Sequence, residues 1–86
     1  MATQILADGT GAADSADLPV STGATLLVSM KDWTSRSSIT ISLKDDAGNY
    51  QPIGQLTPQK PAAVLSAGVY RFTRPADSAS CGAFSA

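Results

Sequence analysis

Two adjacent aspartates, Asp45 and Asp46, are the residues of this chain whose types most suggest chemistry. Neighbouring carboxylates can hold a cation, serve as acid and base, or close a turn. A calcium loop needs about six to eight oxygen ligands with acidic residues at alternating positions, and here only Asn49 follows. The segment Asp46-Ala47-Gly48 fits a three-residue hairpin loop that ends on a left-handed glycine. We therefore predict a turn, in which the short carboxylates accept bonds from nearby backbone N–H groups.

The chain has no histidine and only one cysteine, Cys81. This composition gives no zinc cluster of the His/Cys type, no histidine-based triad and no intrachain disulfide. Gly9-Thr10-Gly11 lacks the lysine and the helix of a phosphate loop. Cys81 has no basic neighbour in sequence that would activate its thiol, so we expect a small buried side chain. We predict that the chain is not an enzyme and that it uses no metal or cofactor.

Charge is sparse: six Lys and Arg stand against seven acidic residues, for a net charge of −1. The basic residues are scattered singly and make no stripe that would neutralise several phosphates, which argues against nucleic acid as a partner. No apolar run reaches the length of a membrane span or a signal peptide. We expect a protein made in the cytoplasm, with a core thin enough that other subunits would help to stabilise it.

Strict alternation marks residues 38–43 as a strand, because Ile39, Ile41 and Leu43 alternate with hydroxyl side chains. Its antiparallel partner is expected to begin near Tyr50 and run to Leu56. Pro52 would mark an edge or a bulge in that partner, because proline has no N–H for the ladder.

Further short β-branched or apolar runs lie between glycine and proline residues, and no window carries a helical apolar stripe. Leu27 should face a neighbour or a second sheet, whereas Tyr70 and Phe72 should share a buried face of a central strand. We predict an all-β protein: a small antiparallel sandwich or jelly-roll-like barrel of six to seven strands. Beyond the hairpin, the predicted strands are residues 3–7, 24–30, 61–65, 69–73 and 80–85.

Residues 1–21 differ from the β-sandwich domain predicted for residues 22–86. From Asp8 onward they are rich in glycine, alanine and aspartate, and Pro19 interrupts them. We predict an extended N-terminal arm or long loop. Its aspartates either face solvent or seek a basic surface on a partner, because the first thirty residues carry no basic side chain.

Several residues are candidates for partner contacts. The only tryptophan, Trp33, lies in a linker between two predicted strands, where it either caps the end of the sandwich or forms an interface contact. The pair Ile5-Leu6 either begins a first edge strand or is donated to a neighbouring subunit. The candidate partner-binding residues are Ile5, Leu6, Lys31, Asp32, Trp33 and Arg36.

The order of motifs resembles that of small all-β structural proteins of tailed bacteriophage virions. An apolar strand (TLLVSM) precedes an alternating strand (SSITISLKD), a hairpin with a following aromatic (DDAGNYQPIG) and VLSAGVYRFTRP. In size and organisation residues 22–86 are most similar to capsid decoration, or cement, proteins.

The resemblance implies a protein that attaches to the outer surface of an assembled head, often as a homotrimer. There it would hold neighbouring major capsid subunits together, without cofactor or enzymatic activity. Two alternatives remain open at this stage. One is a head-fibre or tail component, and the other is a carbohydrate-binding adhesion module that would stack sugars on Trp33, Tyr50 and Tyr70.

Overall fold

The structure is a computed structural model that describes residues 3–86. The described chain is built of β-strands joined by turns, and it contains no helix of the length and hydrophobicity needed to cross a membrane. The strands are β1 (Thr3–Gly9), β2 (Ala13–Asp14), β3 (Leu18–Val20), β4 (Leu26–Lys31), β5 (Ile39–Lys44), β6 (Tyr50–Leu56), β7 (Ala62–Leu65), β8 (Gly68–Arg74) and β9 (Cys81–Ser85).

These strands form two antiparallel sheets. Sheet A has the order β1-β9-β4-β7, and sheet B has the order β2-β8-β5-β6, with β3 also paired to β8. The predicted all-β class is confirmed. The nine strands exceed the predicted six to seven because β2 and β3 lie within residues 8–21, where the sequence predicted an irregular arm.

The hairpin between β5 and β6 forms as predicted. Asp45 N–H donates to the Asn49 carbonyl at 2.7 Å, and Gly48 takes the left-handed conformation with φ 87°. One Asp45 carboxylate oxygen accepts from the N–H groups of Ala47 and Asn49 at 2.9 and 2.8 Å. Pro52 was predicted to mark an edge or a bulge, and it lies in the edge strand β6 next to a register shift, so both alternatives apply.

The core lies between the inner faces of the two sheets, where period-two alternation places alternate side chains. Phe72, Met30 and Ile39 are the largest fully buried side chains, and Tyr70 shares the buried face of β8 with Phe72. Strand β8 is central, as predicted. Leu27, however, points away from the core and is 46% exposed, so it does not face the second sheet.

Residues 3–20, which we call the N-terminal segment, close one lateral side of the sandwich. Strand β1 pairs with β9 at the edge of sheet A, and β2 and β3 pair with β8 at the edge of sheet B. Leu6 and Val20 from this segment enter the core. Ser15 continues the pairing, because its N–H donates to the Phe72 carbonyl and its hydroxyl accepts from Phe72 N–H.

A buried arginine holds the N-terminal segment to the rest of the chain. Arg74, only 5% exposed, donates to the carbonyls of Gly11, Ala7 and Cys81 at 2.8, 3.0 and 2.7 Å. These acceptors come from the turn after β1, from β1 itself and from β9. Because buried charge is tolerated only when it is well hydrogen-bonded, this arrangement fixes both sheets at one point.

Candidate interaction surfaces

The loop between β4 and β5 presents Trp33, which is 42% exposed. Buried Ser37 fixes the loop: its N–H donates to the Thr34 carbonyl at 3.2 Å, and its hydroxyl accepts from Thr34 N–H at 2.9 Å. The same hydroxyl donates to the Ser80 carbonyl at 3.0 Å, which joins the loop to the start of β9. The exposed residues Trp33 and Arg36 are therefore carried by a hydrogen-bonded loop.

At the start of that loop, Lys31 and Asp32 lie beside the N-terminal segment. Lys31 Nζ donates to Gln4 Oε1 at 3.0 Å, and Asp32 takes the left-handed conformation with φ 54°. The pKa of Asp8 is raised, mainly because its carboxyl shares a hydrogen bond with Asp32, with burial and the negative charge of Asp32 acting in the same direction. The structure thus brings Lys31 and Asp32 to one surface with residues of β1.

Ile5 and Leu6 lie in β1, in the edge-strand position that the sequence offered as one of two interpretations. Leu6 belongs to the core, and half-buried Ile5 packs against it. In this arrangement both side chains serve the chain's own fold. Donation of β1 to a neighbouring subunit would require its separation from β9.

A polar cluster on the outer face of sheet B was not predicted. Asp17 accepts from the Tyr50 hydroxyl at 2.6 Å and from Arg71 Nη2 at 3.2 Å, while Lys44 Nζ lies 3.9 Å from its second oxygen. The Arg71 guanidinium stacks over the Tyr50 ring, 4.0 Å from its centre. We call these four residues the Asp17 cluster.

The Asp17 cluster shifts the titration of two of its members. The pKa of Asp17 is lowered, chiefly by the hydrogen bond from Tyr50 and further by Arg71 and Lys44, against the opposing effect of burial. The pKa of Tyr50 is raised, chiefly because its hydroxyl donates to the Asp17 carboxylate. The basic surface that Asp17 meets in this structure therefore belongs to its own chain.

Part of this cluster follows from alternation, and part does not. Register in the hairpin pairs Lys44 with Tyr50, and the burial of Tyr70 and Phe72 turns Arg71 outward, so the sequence contained the signal that placed these three on one face. Asp17 gave no such signal, because it precedes Arg71 by 54 positions and lies in a segment without periodicity.

The aromatic residues considered for sugar stacking are not equivalent in the structure. Tyr70 is 5% exposed, and its hydroxyl donates to the Ser66 carbonyl. The Tyr50 ring lies under Arg71, and its hydroxyl is bonded to Asp17. Trp33 is therefore the most freely exposed of the three rings.

Sheet A exposes apolar side chains that the sequence did not single out as a surface. Leu27 and Val64, 46% and 66% exposed, are cross-strand neighbours of β4 and β7 on the outer face. Half-buried Phe84 lies on the same face, opposite Ser29. Alternation in β4 predicted that Leu27 lies on the face opposite Val28. The sequence could not show whether a second sheet covers that face, and in the structure Leu27 is exposed.

Within residues 3–86 we found no pocket and no group of three or more His, Cys, Asp or Glu side chains arranged to hold a metal ion. Comparison of the chain with protein-family models, with characterised proteins and with solved structures found no match. The candidate sites are thus surfaces: the Trp33 loop, the Asp17 cluster and the outer face of sheet A.

Proposed function

We propose that this chain is a capsid decoration protein of a tailed bacteriophage. It binds the outer surface of the assembled head and holds neighbouring major capsid subunits together. The observation that carries the proposal is the Trp33 loop, in which an exposed tryptophan and an exposed arginine lie on a loop held by the hydrogen bonds of buried Ser37. Tryptophan and arginine dominate the binding energy of many protein interfaces, and a loop already ordered loses less conformational entropy on binding.

The distribution of charge and apolar surface supports the same proposal. The chain has a net charge of −1, and its basic residues are scattered singly. Such a surface suits a protein partner better than nucleic acid, which requires a continuous basic surface. The apolar side chains exposed on sheet A provide a second surface, suited to contact with another copy of the chain. A small domain of this kind gains stability when it is assembled.

The test uses expanded empty heads assembled from the major capsid protein encoded in the same genome. The wild-type chain is expected to bind them in a fixed stoichiometry and to raise their melting temperature. Trp33→Ala should weaken binding by about tenfold or more, because a desolvated tryptophan is a typical hot spot. The matched control, Gln59→Ala, alters another exposed residue and should bind like the wild type.

Failure of the wild-type chain to bind heads, together with an unchanged head melting temperature, would overturn the proposal. Equal binding by Trp33→Ala and wild type would place the contact elsewhere on the molecule and remove the observation on which the proposal rests.

A further inference from the structure

The edges of the two sheets carry unpaired backbone groups, which can add a strand from another molecule. The described chain has four such edges. Sheet A ends at β1 and β7, and sheet B ends at β6 on one side and at β2 and β3, which both pair with β8, on the other. Three of them contain a feature that hinders pairing. Strand β1 has two register shifts, β6 has Pro52 beside a register shift, and β3 has Pro19. Strand β7 has neither a proline nor a register shift.

The hydrogen-bond pattern shows how Pro52 protects β6. The bond from Asp45 N–H to the Asn49 carbonyl identifies this pair as hydrogen-bonded, and hydrogen-bonded pairs alternate with non-hydrogen-bonded pairs along an antiparallel ladder. Leu43/Gln51 lies two pairs from Asp45/Asn49 and is therefore also a hydrogen-bonded pair. The next pair, Ser42/Pro52, is then non-hydrogen-bonded. An N–H at position 52 would therefore point to the free edge, and proline has none.

The same reasoning gives the opposite result for β7. Met30 N–H donates to the Pro61 carbonyl at 2.8 Å, which sets the alternation along β4 and β7. Val28/Ala63 is then a hydrogen-bonded pair, and Leu27/Val64 is not. The N–H and C=O groups of Val64 point to the free edge, as do those of Ala62. In the described chain no other strand lies on that side.

The side chains of β7 restrict what can pair with it. Its sequence, Ala-Ala-Val-Leu, carries no charge, and Val64 is 66% exposed beside Leu27 on the outer face. Charged side chains placed directly against these apolar neighbours would lose water without gaining a partner. The edge therefore favours a short, uncharged, extended strand with small or β-branched side chains on the outer face.

We propose that the strand which pairs with β7 is β7 of a second copy of this chain. The two strands run antiparallel about a two-fold axis beside Ala63, so that sheet A continues from one copy to the next. Ala62 then lies opposite Val64 of the partner subunit, and each such pair joins the groups that point to the free edge. About four backbone hydrogen bonds result. On both sides of the axis the small side chain of Ala62 lies opposite the larger Val64 of the partner subunit. No two like charges lie opposite each other.

This contact is small compared with a typical specific interface, which buries about 800 Å² per partner. We therefore expect a weak dimer, with a dissociation constant of about 10 µM or above. The inference rests on the backbone pattern of β7 and is independent of head binding. It also differs from the homotrimer that the family resemblance implies, because a two-fold contact produces pairs.

Solution mass tests the pairing directly. The chain has a mass of 8.8 kDa, and sedimentation equilibrium should give a mean mass that approaches twice this value as concentration rises. Val64→Lys should weaken dimerisation by about tenfold or more, because a lysine on an edge strand opposes pairing. Val64→Pro should act in the same direction, because it removes the outward N–H and leaves the ladder to β4 intact. The control Gln55→Lys adds the same charge to β6 and should still dimerise.

Amide hydrogen exchange of the wild-type chain provides a second measurement that requires no variant. The amides of Ala62 and Val64 should exchange more slowly as protein concentration rises. The amide of Ala63, which is bonded to β4, should be protected at all concentrations. A wild-type chain that is monomeric at about 1 mM, that forms trimers, or whose dimer persists unchanged in folded Val64→Lys would overturn the proposal, even if the chain binds heads.

Discussion

The two lateral sides of this sandwich deal with unpaired sheet edges in different ways. On one side the N-terminal segment covers β8 and β9 with strands of its own and is held there by Arg74 and by the Asp17 cluster. On the other side no segment of residues 3–86 covers β6 and β7, and Ile53 and Val64 are 54% and 66% exposed. A small chain can thus pair the edge backbone groups of one side with its own strands. On the other side, a proline can prevent pairing or a partner strand can complete it.

The closed side combines the apolar burial of Leu6 and Val20 with a buried polar group, the guanidinium of Arg74. Arg74 donates only to carbonyl groups, and no carboxylate among residues 3–86 lies within ion-pair distance of it. Its hydrogen bonds to Ala7 and Gly11 join elements that are far apart in sequence, and the third joins β8 to β9. Loss of this side chain would therefore affect the whole lateral side, whereas changes on the open side should affect association rather than folding.

The largest expected effect is that of Arg74→Met. The variant keeps the bulk of the side chain but leaves three carbonyls without their donor, and it should lower the free energy of unfolding by about 3 kcal/mol. Urea unfolding followed by tryptophan fluorescence measures the loss. The control Arg36→Met alters an exposed arginine and should change stability by less than about 0.5 kcal/mol. Equal losses of unfolding free energy in the two variants would show that Arg74 does not hold the N-terminal segment in place.

A pair of glycine variants compares the closed side with the open side. A Cβ at Gly82 in β9 would lie 2.7 Å from the Leu6 carbonyl oxygen and 3.0 Å from Asp8 N, both backbone atoms of β1. Gly82→Ala should therefore push β1 away and cost about 2 kcal/mol. A Cβ at Gly54 in β6 would meet no other part of the chain within 4 Å. Gly54→Ala should therefore leave the free energy of unfolding unchanged or slightly raised. A tolerated Gly82→Ala would show that β1 is loosely attached.

The smallest effect is expected at the Asp17 cluster. Because the pKa of Asp17 is lowered in the folded state, its contribution to stability is present above its ordinary value of 3.8 and is lost as pH falls through the lowered pKa. Asp17→Asn should therefore be less stable than wild type near neutral pH, and the difference should disappear in acid. Unfolding midpoints measured across this range test the sign. Asp46→Asn, in the exposed hairpin turn, serves as control.

Tyr50 should give the complementary result at high pH. Its pKa is raised, so its contribution is complete below the ordinary value of 10.0 and is lost as pH rises through the raised pKa. Tyr50→Phe should remove this alkaline dependence. A wild-type chain whose stability does not change in either range would show that the Asp17 cluster does not contribute to folding.

The sequence predicted the strands that use local alternation. The strand containing Ile39 and Ile41, its hairpin and the buried face of Tyr70 and Phe72 follow from a period of two and from turn chemistry, so they required no knowledge of distant residues. The place of Trp33 in a linker between two strands followed in the same way from the strands on either side.

Strands β2 and β3 could not be predicted, because no local pattern defines them. They form where Ser15 bonds to Phe72 and where Arg74 reaches the Gly11 carbonyl, contacts between residues 57 and 63 positions apart. The Asp17 cluster depends on similar long-range contacts. The open edge at β7 also needed the ladder pattern, since the residue types alone do not show which N–H groups point outward.

The pairing of β1 with β9 joins the first described strand to the last, with Thr3 opposite Ser85. A chain still being translated cannot complete sheet A until Ser85 has left the ribosome, so the pairing of β1 with β9 must follow the synthesis of β9. Such distant pairing also slows the search for the native topology. Thr3 and Ser85 lie side by side, and this geometry would suit a circular permutant of the domain opened at the Gly48 turn.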